Sequence, residues 1–200
     1  MLNKIFQIGF NKCGTVSLWK IFQAYVDPRI KSIHWDSGKL AKTLYDNYIN
    51  DRPLLSGYDD YIYFGDMQGK LWNNNKPEKM ILPYISMYSL LDQQYPNSKF
   101  ILNTRNIDNW ITSRLNWGPG RDNDFYMSIY NVSNQTDLIP IFKNMWHHHH
   151  KSIISYFYNR LDQLLIFDIE KDSVEKIINF FPELKFDEKL KSFPHLNKSR

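Results

Sequence analysis

A chain of 200 residues, 42% of them apolar, can bury one continuous core, so a single domain over residues 1–200 is expected. The net charge of +4 and the pI near 9.0 suit an anionic ligand, but the basic residues are too few and too evenly spread for a nucleic-acid partner. A single cysteine excludes an intrachain disulfide, and no apolar run reaches the ~18–20 residues of a membrane span. With a first strand that starts almost at once and leaves no room for a leader, a cytoplasmic location without membrane attachment is the expectation.

The apolar run Ile5, Phe6 and Ile8 predicts a buried strand that stops at Gly9. A short polar loop follows, and Val16, Trp19, Phe22 and Val26 then recur at helical spacing. A strand feeding a glycine-containing turn and a helix N-terminus makes an anion site. The first helical N–H groups are unpaired, the dipole is positive there, and Gly14 lets the backbone approach a ligand. Lys12 adds a full positive charge, and Thr15 and Ser17 add hydroxyl donors. The loop is built for a phosphate or sulfate. It is not a Walker A motif, in which the lysine directly follows the last glycine, nor a dinucleotide Gly-x-Gly-x-x-Gly. A phosphatase loop around Cys13 is excluded too, because Trp19 stands where its arginine belongs.

Residues 31–35 predict a second short strand, residues 36–48 a helix carrying Leu40, Leu44 and Tyr48, and residues 61–64 a third strand ending at Gly65-Asp66. Residues 67–78 read as an irregular Asn-rich stretch, and residues 80–95 as one strong helix stopped by Pro96. The strand at 100–102 runs into a polar turn and an amphipathic helix, with Asn106 or Asp108 as its cap. Arg105 at the strand end and Ser113 in the second helical turn can reach one anion together. Residues 116–124 form a Gly/Pro/Asn loop suited to a lid facing an acceptor. Residues 125–157 are mostly helical with a break at 134–140, followed by a strand at 164–167 and a helix at 172–181 stopped by Pro182. The alternation predicts an α/β fold, a three-layer αβα arrangement around a mostly parallel sheet. Ligands of such sheets bind beyond the carboxyl ends of the strands, where Lys12, Asp66 and Arg105 all fall. The run His147 to His150 lies in a helix, which spreads consecutive rings around the axis, so no metal site is expected of it.

The two strand-loop-helix segments resemble those of the sulfotransferases. Lys12-Cys13-Gly14-Thr15-Val16-Ser17-Leu18 is similar to their phosphosulfate loop, and Arg105 with Ser113 matches in spacing the pair that binds the donor's 3′-phosphate. The resemblance implies a P-loop-like core, 3′-phosphoadenylyl sulfate as donor co-substrate and no metal. It implies sulfuryl transfer to a hydroxyl or amine of a small-molecule, glycan or peptide acceptor. Lys12 would stabilise charge developing on the leaving oxygen. Asn11, Lys12, Cys13, Gly14, Thr15, Val16 and Ser17 would hold the 5′-phosphosulfate, with Cys13 as a spacer whose pKa the helix N-terminus could lower. Two residues compete for the base: His34 falls near where glycan sulfotransferases place an acidic base, and Asp66 near where cytosolic ones place a histidine. Residue type departs from the pattern at both. The family's late basic loop over the 3′-phosphate is not clear here, although Lys191, His195, Lys198 and Arg200 could replace it. The alternative is a non-catalytic protein that binds 3′-phosphoadenosine 5′-phosphate or a related nucleotide. A kinase-like phosphotransferase is disfavoured by the missing Walker lysine and the lack of a clear magnesium carboxylate.

Overall fold

The computed structural model describes residues 3–117, 122–194 and 196. β1 (Ile5–Gln7) lies in the middle of a five-stranded sheet. β3 (Tyr63–Gly65) and β6 (Lys99–Thr104) flank it, with β2 (Ser32–His34) and β7 (Leu164–Asp168) at the edges. Every pairing is parallel, with Ile5 opposite both Tyr63 and Lys99, and Phe6 opposite both Phe64 and Phe100. Such strands are covered on both faces, which is why they read as unbroken apolar runs.

The period of two divides each strand between two cores. Ile5, Tyr63, Ile101, Leu165 and Phe167 pack on one face against α1 (Thr15–Ala24) and α8 (Val174–Phe180). Phe6, Ile8, Phe64, Phe100 and Leu102 point the other way. They meet α2 (Lys39–Ile49), α4 (Tyr88–Gln94), α5 (Ile107–Leu115) and α7 (Leu138–Tyr156), which brings in Leu44, Leu91, Trp110, Phe142 and Trp146. The three-layer α/β architecture is the one that the alternation predicts. Among the described residues no helix is long and apolar enough to cross a membrane.

Three elements differ from the sequence expectation. The Asn-rich stretch is a β-hairpin, β4 (Gly69–Asn73) and β5 (Lys76–Ile81), joined by Asn74 and Asn75 at φ 48° and 62°. Two successive positive-φ residues make the tight turn whose twist suits a hairpin, and asparagine tolerates that conformation best after glycine. The helix expected over 80–95 is therefore shorter and broken. Met80 and Ile81 belong to β5, Pro83 starts α3 (Pro83–Ser86), and Met87 at φ −128° separates α3 from α4. The helix expected from residue 36 begins at Lys39, because Trp35, Asp36 and Ser37 all have positive φ. The hairpin packs on α6 (Asp122–Tyr130): the Trp72 and Phe125 rings meet edge-on at 5.1 Å, and Lys70 Nζ lies 3.0 Å from Asp122 Oδ1.

Candidate functional site

The loop after β1 is held by its carbonyls. The oxygen of Ile8 accepts from His149 Nε2 at 2.6 Å, that of Phe10 from Asn103 Nδ2 at 3.2 Å and that of Asn11 from Trp110 Nε1 at 2.9 Å. The Lys12 oxygen accepts from Arg105 Nη1 at 3.2 Å, and the Cys13 oxygen from Asn103 Nδ2 at 2.8 Å. A trans peptide sets each N–H opposite its carbonyl, so the N–H groups of Lys12, Cys13 and Gly14 point away from these donors. Arg114, itself buried, donates from Nη1 to Asn11 Oδ1. Lys12 at φ 64° and Gly14 at φ 72° carry the chain sharply into α1, whose N-cap, Gly14, has no side chain to cap the first turn. The first N–H groups of a helix and a lysine thus face one space.

Gly9 is required by the same packing. A Cβ at this position would overlap the backbone oxygen and side-chain amide of Asn103, and its N–H donates to Asn103 Oδ1 at 3.0 Å. Gly9→Ala is expected to destabilise the protein by about 1–3 kcal/mol, the range for overpacking against groups that cannot move aside. Urea unfolding measures this, and an unchanged midpoint would mean that β1 and β6 separate more easily than this contact implies.

A cavity of about 840 Å³ opens beyond the carboxyl ends of β1, β3 and β6. That volume lies in the range of small-molecule and cofactor sites. Asn11, Lys12, Gly14, Thr15, Val16 and Ser17 line it from the loop and α1, Arg105 and Ser113 from the other side, and Asp66 from the end of β3. The Lys12 ammonium lies 4.7 Å from the Trp117 ring centroid, and Trp117 also lines the cavity. Cys13 does not reach it. Its side chain is fully buried, and burial raises its thiol pKa, so the depressed, reactive cysteine expected from the helix N-terminus is not found.

On the far wall Asn106 caps α5, its side chain accepting from the N–H groups of Asp108 at 2.9 Å and Asn109 at 3.1 Å. Arg105 and Ser113 flank this turn and both line the cavity. Arg105 is also ion-paired to Glu170, just past the end of β7, with Nη2 2.6 Å from Oε1. Lys191 is exposed and does not line the cavity, and His195, Lys198 and Arg200 lie outside the described residues, as does 118–121 of the expected lid.

The two base candidates are neighbours. His34 Nε2 lies 3.7 Å from Asp66 Oδ2, but Asp66 lines the cavity whereas His34 packs behind it, 5.5 Å from the Trp19 ring. Burial, and then the nearby Asp122 charge, push the Asp66 carboxyl up to about 7, with Arg114 opposing. Burial lowers His34 to about 4. The Asp66 backbone is in the left-handed region at φ 48°, a sparsely populated state that the chain maintains beside this carboxylate.

Several residues of the site escape sequence reasoning. Asn103 carried a signal, an amide inside an apolar strand, and Glu170 another, a carboxylate after a strand end. Arg114 and Asp122 carried none, since Asp122 meets Gln68 Nε2 at 2.8 Å and Asn11 Nδ2 at 3.4 Å only through the tertiary fold. Among the described residues no group of three or more metal-ligating side chains occurs. Within the histidine run, His149 and His150 face inward, the latter 3.0 Å from Thr104 Oγ1, while His147 and His148 are exposed.

A family model described as a sulfotransferase domain matches residues 79–183, just over half of the chain. The matched span holds Arg105, Ser113 and Glu170, and the Lys12 loop precedes it. No curated protein is similar enough to match.

Proposed function

The chain belongs to the sulfotransferase family, and we propose that it moves a sulfuryl group from 3′-phosphoadenylyl sulfate to a hydroxyl or amine of a small-molecule, glycan or peptide acceptor. The observation that carries this reading is a single cavity walled by the Lys12 loop on one side and by Arg105 and Ser113 on the other. One group of anion donors suits a 5′-phosphosulfate and the second a 3′-phosphate. The residues present fit such a donor. The N-cap of α1 is a glycine with no side chain to fill the space, and a Cβ at Gly14 would lie 3.0 Å from Ile169 and 3.2 Å from Phe193 on the cavity wall.

The donor, when bound, would supply a sulfuryl group on a leaving oxygen that becomes negative as its bond to sulfur breaks. Lys12 and the N-terminal N–H groups of α1 would meet that charge where it develops, which is where electrostatic stabilisation accelerates a reaction. Asp66 would take the acceptor proton. Its carboxyl lines the cavity wall and its ionisation falls near neutral pH, where a base is most effective. His34, held neutral by burial, would then orient or relay rather than initiate.

The test pairs turnover with nucleotide binding. Release of 3′-phosphoadenosine 5′-phosphate from the donor, dependent on a panel of sugar, phenol and peptide acceptors, is the expected result. Binding without turnover across that panel would favour a non-catalytic nucleotide-binding protein. Arg105→Ala should weaken 3′-phosphoadenosine 5′-phosphate by about 1.5–3 kcal/mol, as for a charge-assisted bond, and Ser113→Ala by less. Neither should alter adenosine 5′-monophosphate much. Equal loss of both nucleotides by calorimetry would remove Arg105 and Ser113 from the 3′-phosphate.

A further inference from the structure

The carboxylate of Glu170 sits in the part of the cavity assigned above to the 3′-phosphate, and that part is already furnished as an anion site. Its Oε1 accepts from Arg105 Nε at 2.9 Å, Arg105 Nη2 at 2.6 Å and Asn109 Nδ2 at 3.1 Å, and its Oε2 accepts from the backbone N–H of Asn106 at 3.0 Å. All of these donors come from the β6–α5 turn and the first turn of α5. The third guanidinium nitrogen, Nη1, donates to the Lys12 carbonyl, so every nitrogen of Arg105 is engaged within the chain. Glu170 is itself held in place. Its N–H donates to Asp168 Oδ1 at 2.9 Å, and the N–H of Ile169 to Thr104 O at 3.0 Å, tying the end of β7 to that of β6. Burial alone would raise its carboxyl pKa. The Asn106 N–H and the Arg105 and Asn109 donors outweigh that and keep it below the usual range, so the group carries a full charge at neutral pH.

A fixed negative charge on Arg105 has a direct consequence for a ligand phosphate. The incoming group must either displace the carboxylate and take over its donors, or share the guanidinium with it at short range. Displacement forfeits the charge-assisted bonds that Glu170 already makes. Sharing sets like charges side by side in a partly buried site, a costly arrangement. Either way the 3′-phosphate gains less from Arg105 than it would from an unpaired arginine.

We propose that Glu170 is an internal competitor for the nucleotide 3′-phosphate, a specificity-determining residue that narrows the preference for 3′-phosphorylated over 3′-hydroxyl nucleotides and loosens the desulfated product. The proposal rests on the reading of Arg105 as a 3′-phosphate ligand. Its kinetic consequence is faster product release, a step that limits turnover in many enzymes.

Calorimetry on the full chain, with 3′-phosphoadenosine 5′-phosphate and adenosine 5′-monophosphate as probes, tests it. Glu170→Gln keeps an oxygen for the Asn106 N–H and removes the charge. It should bind the 3′-phosphorylated nucleotide about 10–100-fold more tightly, the equivalent of one charge-assisted bond regained, and change adenosine 5′-monophosphate by less than about threefold. Glu170→Ala should likewise tighten the 3′-phosphorylated probe and leave adenosine 5′-monophosphate nearly unchanged. Unchanged or weaker binding of the 3′-phosphorylated probe in both variants, with adenosine 5′-monophosphate binding intact, would overturn the proposal and make Glu170 a residue that orients Arg105. The wild type provides a check that needs no variant: it should favour the 3′-phosphorylated probe by less than about 100-fold, and a preference of about 1,000-fold or more would overturn the competition. Arg105→Ala separates the two readings. A loss confined to the 3′-phosphorylated probe keeps the 3′-phosphate assignment whatever Glu170 does, whereas equal loss of both probes removes the assignment and the proposal together.

Discussion

Lys12→Ala is expected to lower turnover by about 10²–10³-fold while weakening nucleotide binding far less, because in the proposed reaction the ammonium would act on charge that appears mainly during transfer. The backbone supports a specific reading of that loss. Lys12 is held at φ 64° between an Asn11 carbonyl bonded to Trp110 and its own carbonyl bonded to Arg105, so the origin of its side chain is fixed. Alanine also bears a Cβ and pays a similar penalty in the left-handed region, so the substitution removes the ammonium without a new backbone cost. Single-turnover rates with saturating donor, set beside donor affinity, separate the two effects. Full activity in the variant would take Lys12 out of catalysis and favour the binding-only reading. A loss seen only in affinity would make Lys12 a donor ligand.

Asp66→Asn is expected to cost about 10²–10⁴-fold in rate and to remove the rise of rate with pH through about 7. His34→Ala should slow the reaction less and keep that rise, since burial lowers the His34 pKa to about 4 and so takes its own titration out of the neutral range. A limb near 7 that survives Asp66→Asn and disappears in His34→Ala would reverse the assignment. The same carboxyl makes a prediction about stability. Its folded pKa, about 7, lies above the ordinary 3.8, so the native state binds this proton more tightly than the unfolded chain does. The resulting stability is fully present below about pH 4 and is lost as pH rises through about 7. Asp66→Asn should therefore gain on the order of 1–4 kcal/mol at pH 8 relative to its effect at pH 4. Denaturant midpoints at the two pH values measure it, and a variant that is less stable at pH 8 than at pH 4, relative to wild type, would contradict the burial of this charge. Gained stability with lost rate is the mark of a carboxylate kept in an unfavourable place for its chemistry.

What the amino-acid sequence determined by itself lies in segments where every needed partner is nearby. Ile5, Phe6 and Ile8 running into Gly9, and Phe100 to Leu102 running into Arg105 and the Asn106 cap, declare strand, turn and helix start through local rules alone, and their apolar density on both faces declares a parallel sheet. Residues 69–81 show where local rules stop. Met80 and Ile81 have the same apolar pattern as the helix that follows, and only pairing with Lys70 and Gly69 across the Asn74-Asn75 turn makes them strand. The site divides in the same way. That Lys12, Gly14, Arg105 and Ser113 would line one cavity was legible because each lies in a strand-turn-helix segment with local signals, and such segments place their turns at the same edge of a parallel sheet. The opposite effects of burial on Asp66 and His34, the buried Cys13 thiol and the Glu170 charge on Arg105 come from tertiary structure. Burial and pairing across 65 residues, as between Arg105 and Glu170, set these groups' protonation and availability, and neither has a local signature in the chain.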